Sequence, residues 1–71
     1  MNDNYVFVKF KISPIYPGVE ILIAELSQLD YEMFEEINTG VIAYIQSGNF
    51  NKKTLSNIRL LKSSEFEISY S

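Results

Sequence analysis

Two stretches of alternating side chains, one near each end of the chain, constrain the fold more than any other feature. Residues 5–12 read Tyr-Val-Phe-Val-Lys-Phe-Lys-Ile. Val6, Val8, Phe10 and Ile12 make an uninterrupted apolar face, and Tyr5, Phe7, Lys9 and Lys11 a mixed one. A period of two in β-branched and aromatic residues predicts a strand. Ser13-Pro14 ends it, because Pro14 has no N–H to give to a ladder. Residues 65–70, Glu-Phe-Glu-Ile-Ser-Tyr, alternate strictly and predict a last strand with Phe66, Ile68 and Tyr70 on one face.

The segment between them changes period twice. Val19, Leu22, Leu26 and Leu29 fall within a narrow arc at 3.6 residues per turn, with Ile23 at its edge and Glu20, Ala24, Ser27 and Gln28 opposite. Pro17 suits a first helical position, so a helix is expected from Pro17 to about Leu29. Asp30 is the expected exit residue, since Asp tolerates the left-handed region better than most. Tyr31–Ile37 and Val41–Gln46 are short strand-like runs around Asn38-Thr39-Gly40, which reads as a hairpin turn. Asn51 caps a predicted second helix, with Phe50 stapling onto Leu55. Leu55, Ile58 and either Leu61 or Lys62 give that helix a thin apolar stripe, and Ser63-Ser64 breaks it.

The order strand, helix, strand, strand, helix, strand predicts an α+β, ferredoxin-like sandwich. Its four-stranded antiparallel sheet is expected in the order 4-1-3-2, with both helices on one face. Seventy-one residues make one domain, 1–71, which buries only about 60% of its unfolded surface. With 46% hydrophobic and 14% aromatic residues, the chain has the material for a core. The N-terminus does not read as a signal peptide, and no apolar run reaches the roughly 20 residues of a membrane span, so a soluble, cytoplasmic protein is expected.

Chemistry is harder to find. The chain has no cysteine and no histidine, which removes a disulfide framework, a thiolate metal site, the usual general base and the usual transition-metal ligand. Glu35-Glu36 is the one adjacent carboxylate pair, but neighbours on a strand point to opposite faces and cannot serve one substrate as acid and base. Gly40 and Gly48 stand alone in turns, so no phosphate-cradling loop is present. No catalytic, cofactor or metal residue is expected; the expected activity is binding.

Six of the nine acids (Glu20, Glu25, Asp30, Glu32, Glu35 and Glu36) lie within one third of the chain, and the net charge is −3. An acidic face suits a basic partner, whereas phosphate wants a basic surface, so nucleic acid is disfavoured. RNA-recognition domains share the expected fold and stack bases on aromatics of the open sheet face, for which Tyr5, Phe7, Phe34 and Tyr44 are available. The basic-glycine-aromatic string those domains carry in the third strand is absent; that strand reads Val-Ile-Ala-Tyr-Ile-Gln. Regulatory ACT-type domains also use the fold, with a glycine-bearing loop after the first strand, and here Ser13–Gly18 supplies a glycine and little else. The residues expected to meet a partner are Glu32, Glu35, Glu36, Phe34 and Tyr44.

One succession of short strings carries a family resemblance. Ser13-Pro14, Pro17-Gly18, Glu20–Leu26 as EILIAEL, Tyr31–Glu36 as YEMFEE, and Gly40 followed by Ala43-Tyr44-Ile45 resemble the N-terminal domain of the ribosomal protein L-eleven methyltransferases (PrmA), in wording nearest the Bacteroidetes branch. The likeness runs from Tyr5 to Tyr70. It departs at Asp30, where the family commonly has glycine. The resemblance implies a substrate-recognition domain for a ribosomal protein of the large-subunit stalk base. It also implies a following domain, outside these residues, that uses S-adenosylmethionine to methylate amines. In that case the partners are the basic ribosomal protein and the chain's own missing C-terminal domain.

Overall fold

In the computed structural model, which describes residues 4–71, the first alternating stretch is β1 (Tyr5–Ser13). Val8, Phe10 and Ile12 are buried and Tyr5, Phe7, Lys9 and Lys11 are exposed, so the alternation reads directly as two faces. It is followed by α1 (Ile15–Gln28), β2 (Met33–Ile37), β3 (Gly40–Gln46), a 3-10 turn at Ser47–Asn49, α2 (Lys52–Leu55), a 3-10 turn at Arg59–Lys62, and β4 (Glu67–Tyr70). The strands form one antiparallel sheet in the order β2-β3-β1-β4, which is the expected 4-1-3-2 read from the other edge. The chain therefore has an α+β, ferredoxin-like fold.

Within α1 the backbone is not helical at Tyr16 and Pro17, so the regular helix begins directly after the proline. Val19, Leu22 and Leu26 are buried and Ile23 and Leu29 pack half-buried against them, the arc expected from the period. Asp30 exits at φ 76°, the left-handed conformation that glycine adopts at no steric cost. Gly40 is needed for a different reason: a Cβ there would lie on the carbonyl oxygen of Phe10. Only a bare backbone lets β3 start that close to β1.

Three boundaries differ from expectation by more than one residue. Tyr31 does not begin a strand; it is buried in the α1–β2 connection, and β2 starts at Met33. β4 begins at Glu67 rather than Glu65. The second helix is the largest correction. Asn51 does cap it, its side chain accepting from the Lys53 N–H at 2.9 Å, but the helix ends at Leu55 after four residues. Ser56 donates its hydroxyl back to the Lys53 carbonyl at 2.7 Å, competing with helix continuation, and Ile58 is extended. The chain then re-enters a 3-10 turn that buries Leu60, which a continuous helical stripe through Leu61 or Lys62 had passed over. Leu55, Ile58 and Leu60 join Phe10, Leu22, Leu26, Val41, Ala43 and Ile45 in one core on the helix-bearing side of the sheet.

Candidate functional site: the uncovered sheet face

With the helices and the 55–60 segment packed on one side, the other side of the sheet carries no layer among the described residues. Strand pairing places its side chains in rows. Tyr5 of β1 lies opposite Gln46 of β3; Phe7 lies opposite Tyr44, which lies opposite Met33 of β2. The next row is Lys9, Ile42 and Glu35, and the next is Lys11, Gly40 and Ile37. One half of the face is thus aromatic and apolar, and the other carries the lysines.

The aromatic half is exposed. Phe7 is 64% accessible, Met33 50% and Tyr5 40%. Phe7 and Tyr44 meet with ring centroids 6.2 Å apart at a tilt of 48°. Two acids close the margin: the Tyr5 hydroxyl donates to Glu32 Oε1 at 3.2 Å, and the Tyr44 hydroxyl donates to Glu35 Oε1 at 3.3 Å. Desolvation, then the charge of Glu35, then this hydrogen bond raise the Tyr44 hydroxyl above the ordinary phenol value, so Tyr44 holds its proton at neutral pH.

The residues expected to meet a partner divide between the two faces. Tyr44, Glu35 and Glu32 come together at the aromatic cluster. Phe34 does not: it pairs with buried Ala43 on the core side, and is half-buried against the core. It leaves the group of Tyr5, Phe7 and Tyr44, because one step along a strand reverses the face. Glu36 follows Phe34 to that side, opposite Val41, at the sheet edge. The two carboxylates of the 35–36 pair are therefore separated by the sheet itself. Met33 joins the cluster in their place; the pairing of β2 with β3 identifies it, and its position two residues before Glu35 was the available signal.

Glu25 has a different occupation. Its carboxylate accepts from the backbone N–H of Arg59 at 2.6 Å and of Leu60 at 3.2 Å. It thereby caps the 3-10 turn across the core side of the domain, so the acidic group on α1 is partly committed to structure.

Among the described residues no group of His, Cys, Asp or Glu is placed to hold a metal ion, and no helix is long and apolar enough to cross a membrane. A shallow cavity of about 420 Å³ opens by Lys11, Thr39 and Glu67, and a second of about 400 Å³ beside Val6, Val8 and Leu55. No family model, curated protein or solved structure matches the chain.

Proposed function

We propose that this is a non-catalytic protein-binding domain that takes a basic protein on its uncovered sheet face. The observation that carries the reading is the cluster of Tyr5, Phe7, Met33 and Tyr44 with the Glu32 and Glu35 carboxylates on its margin. An exposed apolar patch with a polar rim is the usual anatomy of an interaction surface, and aromatic residues and methionine are enriched at the centre of such patches. A basic partner gains from the marginal carboxylates, whereas a phosphate backbone is repelled by them.

The resemblance of the sequence to the ribosomal protein methyltransferases supports a narrower form of the proposal. The partner is then a basic ribosomal protein of the large-subunit stalk base, and the domain presents it to an S-adenosylmethionine-dependent domain of the same enzyme. Lys9 and Lys11 on the same face favour a second reading, single-stranded RNA stacked on Phe7 and Tyr44.

Association kinetics with the purified ribosomal protein test the proposal. Converting both Glu32 and Glu35 to glutamine slows association and flattens its salt dependence, since rim charges act mainly on encounter and are screened by salt. Glu36→Gln, on the other side of the sheet, has a smaller effect. Phe7→Ser raises the dissociation rate. Equal rates for the double variant and the parent at low salt, or binding to single-stranded RNA that is lost in Phe7→Ser, would remove the proposal.

A further inference from the structure

The end of the sheet away from Tyr5 holds a polar hollow, the shallow cavity of about 420 Å³. Its shape follows from the ladder. Lys11 of β1 lies between Gly40 of β3 and Ser69 of β4, so its long side chain rises with small neighbours on both sides. Residues directly opposite in an antiparallel pair share a face. Ser69 therefore stands beside Lys11, and Glu67 beside Ser13, on the uncovered side. The Asn38-Thr39 turn borders the hollow from the β3 side, where the Ile12 N–H donates to the Thr39 C=O at 2.9 Å. β4 starts here at Glu67 and proceeds to Ser71, which pairs with Lys9, so the strand leads away from the hollow and toward Tyr5.

Lys11 and Glu67, of opposite charge, are the charged residues that line the hollow among those described. They stand on a diagonal of the ladder, one pair apart, where the separation is about 7–8 Å. The hydroxyls of Ser13 and Ser69 take the other two corners. Among the described residues none of these four side chains enters a hydrogen bond. A direct pair of exposed charges adds little, because both are well solvated and both side chains lose freedom in pairing. A ligand that brings its own opposite charges therefore displaces such a pair at small cost. Ile15 and Ile68, both half-buried, give the hollow an apolar side.

We infer that this hollow binds a small zwitterion with an aliphatic side chain, an α-amino acid of the size of leucine. Its carboxylate meets the Lys11 ammonium and the Ser69 hydroxyl, and its ammonium meets the Glu67 carboxylate. The side chain lies against Ile15 and Ile68. Two charge-assisted bonds of about 2.8 Å, joined through the one carbon that carries both groups, span the diagonal. Glu67 disfavours a phosphate, and Lys11 a purely cationic ligand. The volume falls within the range of about 300–1,000 Å³ found for small-molecule sites. This inference rests on strand pairing at one end of the sheet and does not depend on the occupant of the aromatic half.

Titration of the 71-residue chain with L-leucine, followed by nuclear magnetic resonance, tests it. A Kd on the order of 1 mM is expected for a ligand of this size in an open site, with amide shifts centred on Lys11, Thr39 and Ser69. Leucinamide lacks the carboxylate and 4-methylpentanoate lacks the ammonium, and each binds about tenfold more weakly. Glycine, with no side chain to meet Ile15 and Ile68, is also weaker. Lys11→Gln lowers L-leucine to the level of leucinamide, and Glu67→Gln lowers it to the level of 4-methylpentanoate. Both residues are exposed, so both variants keep the fold. The Glu32→Gln, Glu35→Gln double variant binds L-leucine as the parent does, which separates the hollow from the acidic margin. Equal affinities for L-leucine, leucinamide and 4-methylpentanoate, no saturation at tens of millimolar, or binding unaltered in both single variants would each overturn the inference.

Discussion

Replacing Glu25 by glutamine separates the structural from the electrostatic use of the acidic helix. The side chain reaches from α1 to the start of the 59–62 turn, where its two oxygens take the N–H groups of Arg59 and Leu60. Those donors open a helical turn and have no partner within it. Glutamine has nearly the same length and helix propensity but keeps one acceptor, and it turns an amide NH₂ toward the second N–H. Hydrogen bonds to charged acceptors contribute about 1.5–3 kcal/mol each, and the Arg59 bond is solvent-exposed, so the lower end applies. A loss of about 1.5–2 kcal/mol follows for Glu25→Gln. Alanine costs more, because it also leaves the N–H of Leu60, only 5% exposed, without a partner. Urea unfolding followed by circular dichroism measures this, with the slope unchanged between variants. Glu20→Gln, on the exposed side of the same helix, is the control and stays within about 0.5 kcal/mol. If Glu25→Gln matched that control, the carboxylate would be a solvated charge and the cap would contribute nothing.

Other expectations follow from the same packing. Leu26→Ala, fully buried in the core, costs about 2–5 kcal/mol in the same assay. Asn51→Ala removes the cap on Lys53 and costs about 0.5–2 kcal/mol, at the lower end because the capped helix is a single turn. Tyr31 is 4% exposed and its hydroxyl has no hydrogen-bond partner among the described residues, so Tyr31→Phe raises stability by about 1 kcal/mol. Burial, and secondarily Tyr70, raise the Tyr31 hydroxyl above the ordinary 10.0. Its neutral form is thus favoured by folding, and stability present below pH 10 falls as pH rises through the folded value. Tyr31→Phe makes that alkaline fall shallower, and an unchanged fall would show that Tyr31 does not titrate with unfolding.

The sheet was legible because its signals are local. Alternation in β1, the period of α1 and the Asn38–Gly40 turn each involve residues near in sequence, and the positive φ at Asp30 follows from a residue type that tolerates it. The region after Asn51 was not, because a contact across 34 residues competes with the helix pattern. Ser56 and Ile58 interrupt the helix, and Glu25 holds the N–H groups that the interruption frees. Neither end of that interaction shows a periodic signal, and Leu60 is buried by the detour it permits.

The site was legible by residue type and not by face. Glu32, Glu35 and Tyr44 converge because β2 and β3 pair with Met33 opposite Tyr44. Shifting that register by one residue would have gathered Phe34 and Glu36 there instead, since side chains change face at every step. What holds the register is apolar: Ala43 and Val41 are fully buried, and Phe34 packs on the same side as Ala43. The core thus decides which carboxylates stand beside the exposed rings, although none of those carboxylates is in the core. Substitutions of Phe34 are therefore expected to disturb the uncovered face from behind, by loosening β2, while Glu36→Gln leaves it as it is.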